Sequence, residues 1–135
     1  MFKPRQRLKL QTPCVSTMNI FEVETWKVKP GREKQHEKAL RNWLKWVKEH
    51  KKLFPEWKSL RYYTKYVAGE ETERHVTIWE YESLADFEAY KERRKDYQGA
   101  YADYKKVDPY YMDVFDHTSM KVEIWKPLER DLWIE

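Results

Sequence analysis

The stretch beginning at His75 places side chains for acid–base chemistry and for ring stacking on one face of a predicted strand. Side chains alternate along a strand, so His75, Thr77, Trp79 and Tyr81 share that face. An imidazole titrates near neutral pH, which suits His75 to act as a general base; a buried, hydrogen-bonded structural histidine is the alternative. The indole and phenol rings beside it are suited to hold a flat ligand.

An earlier predicted strand, Ile20–Val28, brings carboxylates to the same face of the sheet. Glu22, Glu24 and Trp26 alternate there, and Glu24 is the second candidate base. A last predicted strand, residues 119–125, adds Lys121, and we expect it to pair with Glu24 across the strands. The predicted catalytic residues are His75 and Glu24, and the predicted substrate-binding residues are Glu22, Trp26, Thr77, Trp79, Tyr81, Arg94, Lys121, Glu123 and Trp125.

These strands belong to a strand–helix–strand–strand–helix–strand order. The predicted elements are strand 20–28, helix 32–54, strand 60–67, strand 74–81, a helix from Ser83 to about residue 108, and strand 119–125. Two right-handed crossovers in this order give an α+β, ferredoxin-like βαββαβ domain with a four-stranded antiparallel sheet and both helices on one face.

The apolar positions of the strands indicate which face the helices cover. Phe21 and Val23, Val76 and Ile78, and the set Met120, Val122 and Ile124 are the least polar, so we expect them to face the helices. The face with Trp26, Trp79 and Trp125 would then be bare, and a large exposed apolar patch marks an interface. We therefore expect a homodimer whose two sheets pack face to face around a ligand pocket. On the second strand we favour Arg61, Tyr63 and Lys65 on the His75 face.

The two predicted helices carry long aromatic stripes. On the first, His36 and His50 are expected beside the stripe of Leu40, Trp43 and Val47. Ser83 caps the second helix with Asp86 in a capping-box pattern. Along it runs a ladder of rings at steps of three and four residues, which is more typical of core or dimer contact than of a pocket wall. Arg94 lies within this ladder and is placed either to bind a carboxylate or to extend from the edge.

Composition narrows the class of protein. The 135 residues predict one domain, and 37% charged with 16% aromatic residues is typical of a compact domain with a charged shell. The richness in Lys and Glu is typical of thermophiles. Cys14 is the only cysteine, no stretch is long and apolar enough to span a membrane, and no metal-binding spacing occurs. We expect a cytoplasmic protein without a membrane, metal or cofactor requirement.

Residues 1–17 form a basic N-terminal arm. Their four basic residues account for the net charge of +4, because the rest of the chain carries equal numbers of acidic and basic residues. The arm is interpreted as a disordered or loosely docked segment, as the product of an upstream start codon with Met18 as the true start, or as a transit peptide. Residues 18–135 form the folded domain, with a short apolar tail at Leu132, Trp133 and Ile134.

Two phrases, FEVETWKVKPG at 21–31 and VTIWEYESLADFEAYKERR at 76–94, resemble the dimeric α/β-barrel superfamily, in particular NIPSNAP-like and antibiotic-biosynthesis-monooxygenase-like proteins. The resemblance covers about residues 19–125. It implies a homodimeric barrel, and related branches include cofactor-independent monooxygenases of aromatic polyketides and haem-degrading enzymes. The haem-degrading enzymes combine an Asn, a Trp and a His on a helix. Asn19 and Trp79 match the first two, but the second predicted helix has no His, so we do not expect haem degradation.

Three functions remain open. The first is an enzyme or binding protein for a flat, apolar or phenolic small molecule, for which the resemblance implies a cofactor-independent monooxygenase. The second is a non-catalytic assembly or regulatory protein. The third is an RNA-binding module, since RNA-recognition motifs share this element order. Glu22, Glu24 and Glu123 on the aromatic face would repel phosphates, so we expect no nucleic-acid partner.

Overall fold

Four antiparallel strands and three helices follow the order that the sequence predicts. The computed structural model describes residues 18–129, 132 and 134. The elements are β1 (Ile20–Val28), α1 (Glu33–Glu49), β2 (Ser59–Thr64), β3 (His75–Tyr81), α2 (Leu84–Arg93), α3 (Tyr101–Val107) and β4 (Phe115–Trp125). The sheet order is β2-β3-β1-β4 with every pair antiparallel, which confirms the ferredoxin-like α+β prediction. The predicted arm at 1–17 and Trp133 of the apolar tail lie outside the described residues.

Helix α1 is shorter than predicted. Gly31, with a φ of 80°, turns the chain between β1 and α1, a conformation that glycine adopts without steric cost. The helix ends at Glu49, and a 3-10 turn, Lys51–Leu53, leads to the buried ring of Phe54. Its buried stripe includes His36, which is 1% exposed and lies within the stripe, not beside it as the sequence predicted.

The second predicted helix is broken in two. Ser83 caps α2 as predicted, and its Oγ accepts a hydrogen bond from the Asp86 amide at 3.1 Å. Beyond α2, Asp96 and Tyr97 have φ angles of 64° and 50°, in the left-handed region that a helix cannot continue through. The sequence predicted one helix weakened or bent near Gly99; the chain instead forms two separate helices, with the break at Asp96 and Tyr97. Tyrosines from both halves still reach the core.

The helices cover the face of the sheet that carries Trp26 and Trp79. The ring of Trp43 on α1 lies 6.2 Å from that of Trp79, and Trp26 Nε1 donates to His36 Nε2 at 3.0 Å. The prediction that this aromatic face is free of helices was wrong. Phe21, Val23, Val76 and Ile78 lie on the opposite, helix-free face, while Met120, Val122 and Ile124 lie on the helix side as predicted.

Three predicted ligand-binding residues of β4 lie on the helix-free face as well. Lys121, Glu123 and Trp125 stand opposite Thr25, Val23 and Phe21 of β1, and directly paired residues share a face. Lys121 bonds to Glu71 Oε2 at 2.8 Å and not to Glu24. Glu24 pairs with Val122, so the regular register between β1 and β4 places Lys121 and Glu123 on the face opposite to that of Glu24.

The β2–β3 hairpin has the register that we did not favour. Leu60, Tyr62 and Thr64 pair with Trp79, Thr77 and His75, so they share the helix-side face with His75. The connecting loop fixes this register, because Lys65 and Arg74 are joined by a backbone hydrogen bond of 2.8 Å at its base. Arg61 and Tyr63 consequently point to the helix-free face.

Candidate functional site

A cavity of about 330 Å³ lies between the sheet and the helices of a single chain. Indole rings of Trp43, Trp57 and Trp79 and phenol rings of Tyr81 and Tyr90 form much of its wall. Small-molecule sites typically have volumes of about 300 to 1,000 Å³ and are mostly apolar with few polar groups, so this cavity suits a small aromatic ligand.

The cavity unites most of the predicted site. The predicted residues that line it are Glu22, Glu24, Trp26, Thr77, Trp79, Tyr81 and Arg94. Lys121, Glu123 and Trp125 are on the other face of the sheet. His75 is on the correct face but is not part of the cavity wall. This cavity lies within one chain, whereas the predicted pocket between the sheets of two copies stays a prediction.

A pair of carboxyl groups on β1 forms the polar floor of the cavity. Glu22 is 2% exposed and accepts hydrogen bonds from Lys91 Nζ at 3.1 Å and from Tyr81 Oη at 3.3 Å. Among the described residues the half-buried carboxyl of Glu24 has no lysine or tyrosine donor, and its hydrogen-bonding neighbour is the Glu22 carboxyl. Burial, and then repulsion by the Glu22 carboxylate, raises the pKa of Glu24 to about 8 despite the opposing charge of Lys91. Glu24 is therefore mostly protonated at neutral pH.

Two polar side chains beside these carboxyl groups have no hydrogen-bond partner among residues 18–129, 132 and 134. Thr77 stands directly opposite Glu24 on the neighbouring strand, and Trp79 stands opposite Glu22. Thr77 is 1% and Trp79 7% exposed, and within the described part of the chain neither Thr77 Oγ1 nor Trp79 Nε1 makes a hydrogen bond. Buried polar groups without partners are rare, so the two atoms mark unused hydrogen-bonding capacity next to the cavity.

Arg94 forms a second polar region in the cavity wall. Its guanidinium carbon lies 5.4 Å from the ring centre of Tyr90 and 5.2 Å from that of Tyr97, and its Nη1 donates to Tyr97 Oη at 2.8 Å. Asp108 also lines the cavity, and its Oδ1 accepts the Tyr110 amide at 3.0 Å. Burial raises the pKa of Asp108 in spite of the nearby Arg94 charge.

A cluster of rings adjoins the cavity at Trp26. The imidazoles of His36 and His75 lie 4.6 Å apart, and Tyr62 Oη is 2.7 Å from His75 Nδ1. Burial, reinforced by the neighbouring His75, lowers the pKa of His36 to about 4, and burial also lowers the pKa of His75. Since an indole only donates, His36 Nε2 must accept the Trp26 bond and carry no proton.

Sequence reasoning missed His36 and Lys91 as functional neighbours. The spacing of His36, Leu40, Trp43 and Val47 does place the histidine on the apolar stripe of α1, so that signal was present. Lys91 next to Tyr90 carried no comparable signal. The tyrosine ladder serves both purposes that we weighed, because Tyr90 and Tyr104 are buried in the core and also line the cavity.

The residues that the structure describes show neither a metal-binding cluster nor a membrane-spanning helix. No group of three or more His, Cys, Asp or Glu side chains there is arranged to hold a metal ion. None of the helices in that part of the chain combines the length and the apolar character that crossing a bilayer requires.

Comparison with solved structures places this geometry among known folds. A NIPSNAP family protein from Agrobacterium tumefaciens superimposes with a TM-score of 0.61 at 16% identity, over 84% of this chain and 89% of that one. An antibiotic-biosynthesis-monooxygenase-like protein from Bordetella bronchiseptica gives 0.56 at 14% identity, over 83% and 99%.

The hydroxynitrile lyase of Passiflora edulis gives a TM-score of 0.55 at 14% identity, over 84% of this chain and 96% of that one. The chain has the ferredoxin-like fold of these proteins. No protein-family model and no curated protein matches it. At such low identities the similarity extends to the fold, and the neighbours' different names show that the fold does not determine one reaction.

Proposed function

We propose that this protein binds a flat, mostly apolar or phenolic small molecule in the cavity and transfers a proton to or from it through Glu24. The supporting observation is the Glu24 carboxyl, whose pKa burial raises, inside an aromatic wall next to Thr77 and Trp79, which have no hydrogen-bond partner among the described residues. A protonated carboxyl donates a hydrogen bond to a ligand oxygen, and its ionised form is a stronger base than an ordinary carboxylate.

The specific reaction we propose is a cofactor-independent monooxygenation. Ionised Glu24 removes a proton from a methylene group activated by a conjugated carbonyl, and the carbanion reduces dioxygen to form a carbon-bound hydroperoxide anion. Glu24 returns the proton to that anion, and loss of water leaves a new ketone. The methylene carbon is oxidised, dioxygen is reduced, and one oxygen atom leaves as water.

Anthrone provides a direct test, because oxidation of its methylene group gives anthraquinone. We expect wild-type protein to bind anthrone anaerobically with quenching of tryptophan fluorescence, and to consume oxygen aerobically with a rate that rises with pH toward 8. Glu24→Gln should bind anthrone but lose turnover by about a hundredfold or more.

The second candidate base provides the control. His75 contacts Tyr62 and stacks on Trp26 outside the cavity wall, so His75→Gln should keep turnover within a few-fold of wild type. Full activity in Glu24→Gln would show that Glu24 is not the catalytic base. Loss of activity in His75→Gln with intact anthrone binding would assign the base to His75. Absence of anthrone binding would contradict the proposed ligand class.

We also propose that two copies associate through the helix-free face. Val23 at its centre is already buried within one chain, whereas Tyr63 and Trp125 at its sides are 46% and 50% exposed. Such rings are typical of interface positions. Native mass spectrometry should report twice the chain mass, and Trp125→Lys should shift the protein toward a single chain without altering anthrone binding. A wild-type protein of single-chain mass would contradict this pairing.

A further inference from the structure

We infer that the ligand carries an anionic group, a carboxylate or phenolate on an aromatic ring, and that Arg94 binds this group. The inference rests on the proposed function, because it concerns the ligand of the same cavity. Three features of Arg94 support it: its unused hydrogen-bonding capacity, its fixed orientation and the charges around it.

The guanidinium of Arg94 has more donors than partners. Five N–H groups are available to an arginine side chain, and within the described part of the chain only the hydroxyl of Tyr97 receives one. The adjacent Arg93 is different, since it bonds to Glu56 and to the Tyr101 hydroxyl. Lys91, on the same helix, is paired with Glu22. Arg94 is therefore the cation of the cavity wall without an acidic partner among the described residues.

Two aromatic rings and one hydrogen bond restrict the position of the Arg94 guanidinium. It lies against the rings of Tyr90 and Tyr97, and aromatic contacts of this kind pre-organise the planar fork that binds carboxylates in a bidentate manner. The left-handed backbone of Tyr97 positions its ring and hydroxyl, and a bulky residue adopts that conformation only when its surroundings enforce it. Little rotamer freedom remains to be lost when an anion binds.

The charges near Arg94 favour an anion over a neutral ligand. Lys105 lies 4.9 Å from the ring centre of Tyr111 and 5.6 Å from that of Tyr97, so it adds positive potential to the same side of the cavity. Asp108 is the opposing group and interacts electrostatically with Arg94, but the two side chains form no ion pair, and Asp108 Oδ1 accepts the Tyr110 amide at 3.0 Å. When the anionic group binds at Arg94, the uncharged part of the ligand lies on the side of the cavity that carries Thr77, Trp79 and protonated Glu24.

A matched pair of ligands tests this inference by isothermal titration calorimetry at pH 7.5. The probes are 2-naphthoate and 2-naphthamide, which share one ring system and differ in charge. Wild-type protein should bind the carboxylate at least about tenfold more tightly, the range expected for one charge-assisted hydrogen-bonded contact. Arg94→Gln should lose this preference and retain affinity for the amide, which shows that the cavity is intact.

The control variant is Lys95→Gln, which removes the same charge from the neighbouring exposed position and should keep the wild-type preference. Equal binding of both probes by wild type, or an unchanged preference in Arg94→Gln, would overturn the role of Arg94 while leaving the aromatic binding site in place. Failure of wild type to bind either probe would instead overturn the proposed function together with this inference.

Discussion

Replacement of Glu24 by Gln should stabilise the folded protein at alkaline pH, although it removes the proposed base. The pKa of this carboxyl is raised from an ordinary value of 4.5 to about 8 by burial and by Glu22. Between these two values the unfolded chain has released the proton while the folded chain retains it. The stability contributed by the protonated group is therefore complete below pH 4.5 and is lost as the pH rises through 8.

The size of the effect follows from the difference between these two pKa values. At about 1.4 kcal/mol per pH unit the full difference corresponds to about 5 kcal/mol. Because Glu24 is half-buried and Lys91 lies nearby, we expect about 2 to 4 kcal/mol of this to be realised. The neutral amide of Glu24→Gln has no proton to release. Between pH 5 and pH 9, the free energy of unfolding of wild type should therefore decrease by this amount relative to that of the variant.

Urea denaturation at a series of pH values, followed by tryptophan fluorescence, measures this difference. The matched control is Glu123→Gln, since Glu123 is exposed on the helix-free face and bonds to Trp125 Nε1 at 2.9 Å. Its curve should run parallel to wild type. Parallel curves for wild type and Glu24→Gln would refute the elevated pKa, and with it the reason for assigning Glu24 to proton transfer.

Further predictions concern the groups around the cavity. Neutral His36 contributes stability that is present above pH 6.5 and is lost as the pH falls through 4. In urea titrations, His36→Gln should therefore lose about 2 kcal/mol less unfolding free energy than wild type over this pH range. An equal pH dependence of the two proteins would contradict this prediction. Lys91→Met removes the ion pair of the Glu22 carboxylate and leaves it the Tyr81 hydroxyl among the described donors. The free energy of unfolding should fall by about 1 to 3 kcal/mol at pH 7. An unchanged urea midpoint would show that water replaces the ion pair. Ser83→Ala removes the cap of α2 and should cost about 1 kcal/mol without changing ligand affinity, a combination that calorimetry checks.

Local sequence signals were sufficient for the elements of the fold. Strand β1 has the predicted bounds, Ser83 caps α2, and the element order gives the observed sheet. Alternation also grouped Glu22, Glu24 and Trp26 on one face, because a strand has a period of two whatever packs against it. These features depend on neighbours in the chain, so the sequence contains them directly.

The position of the cavity depended on contacts between distant residues. The alternation of side chains along a strand predicts which of them share a face, but not which face the helices cover. We expected the helices to cover the more apolar face, which carries Phe21, Val23, Val76 and Ile78. The helices instead cover the polar aromatic face, where Glu22 is satisfied by Lys91 and His36 accepts the Trp26 N–H. A binding cavity inside a subunit needs polar groups on its inner wall, so hydrophobicity alone misleads at such a site. The sequence by itself determined the strands, the helix cap and the residues that share a face; the tertiary structure decided which face is covered, because that choice rests on hydrogen bonds and ring contacts between residues far apart in the chain.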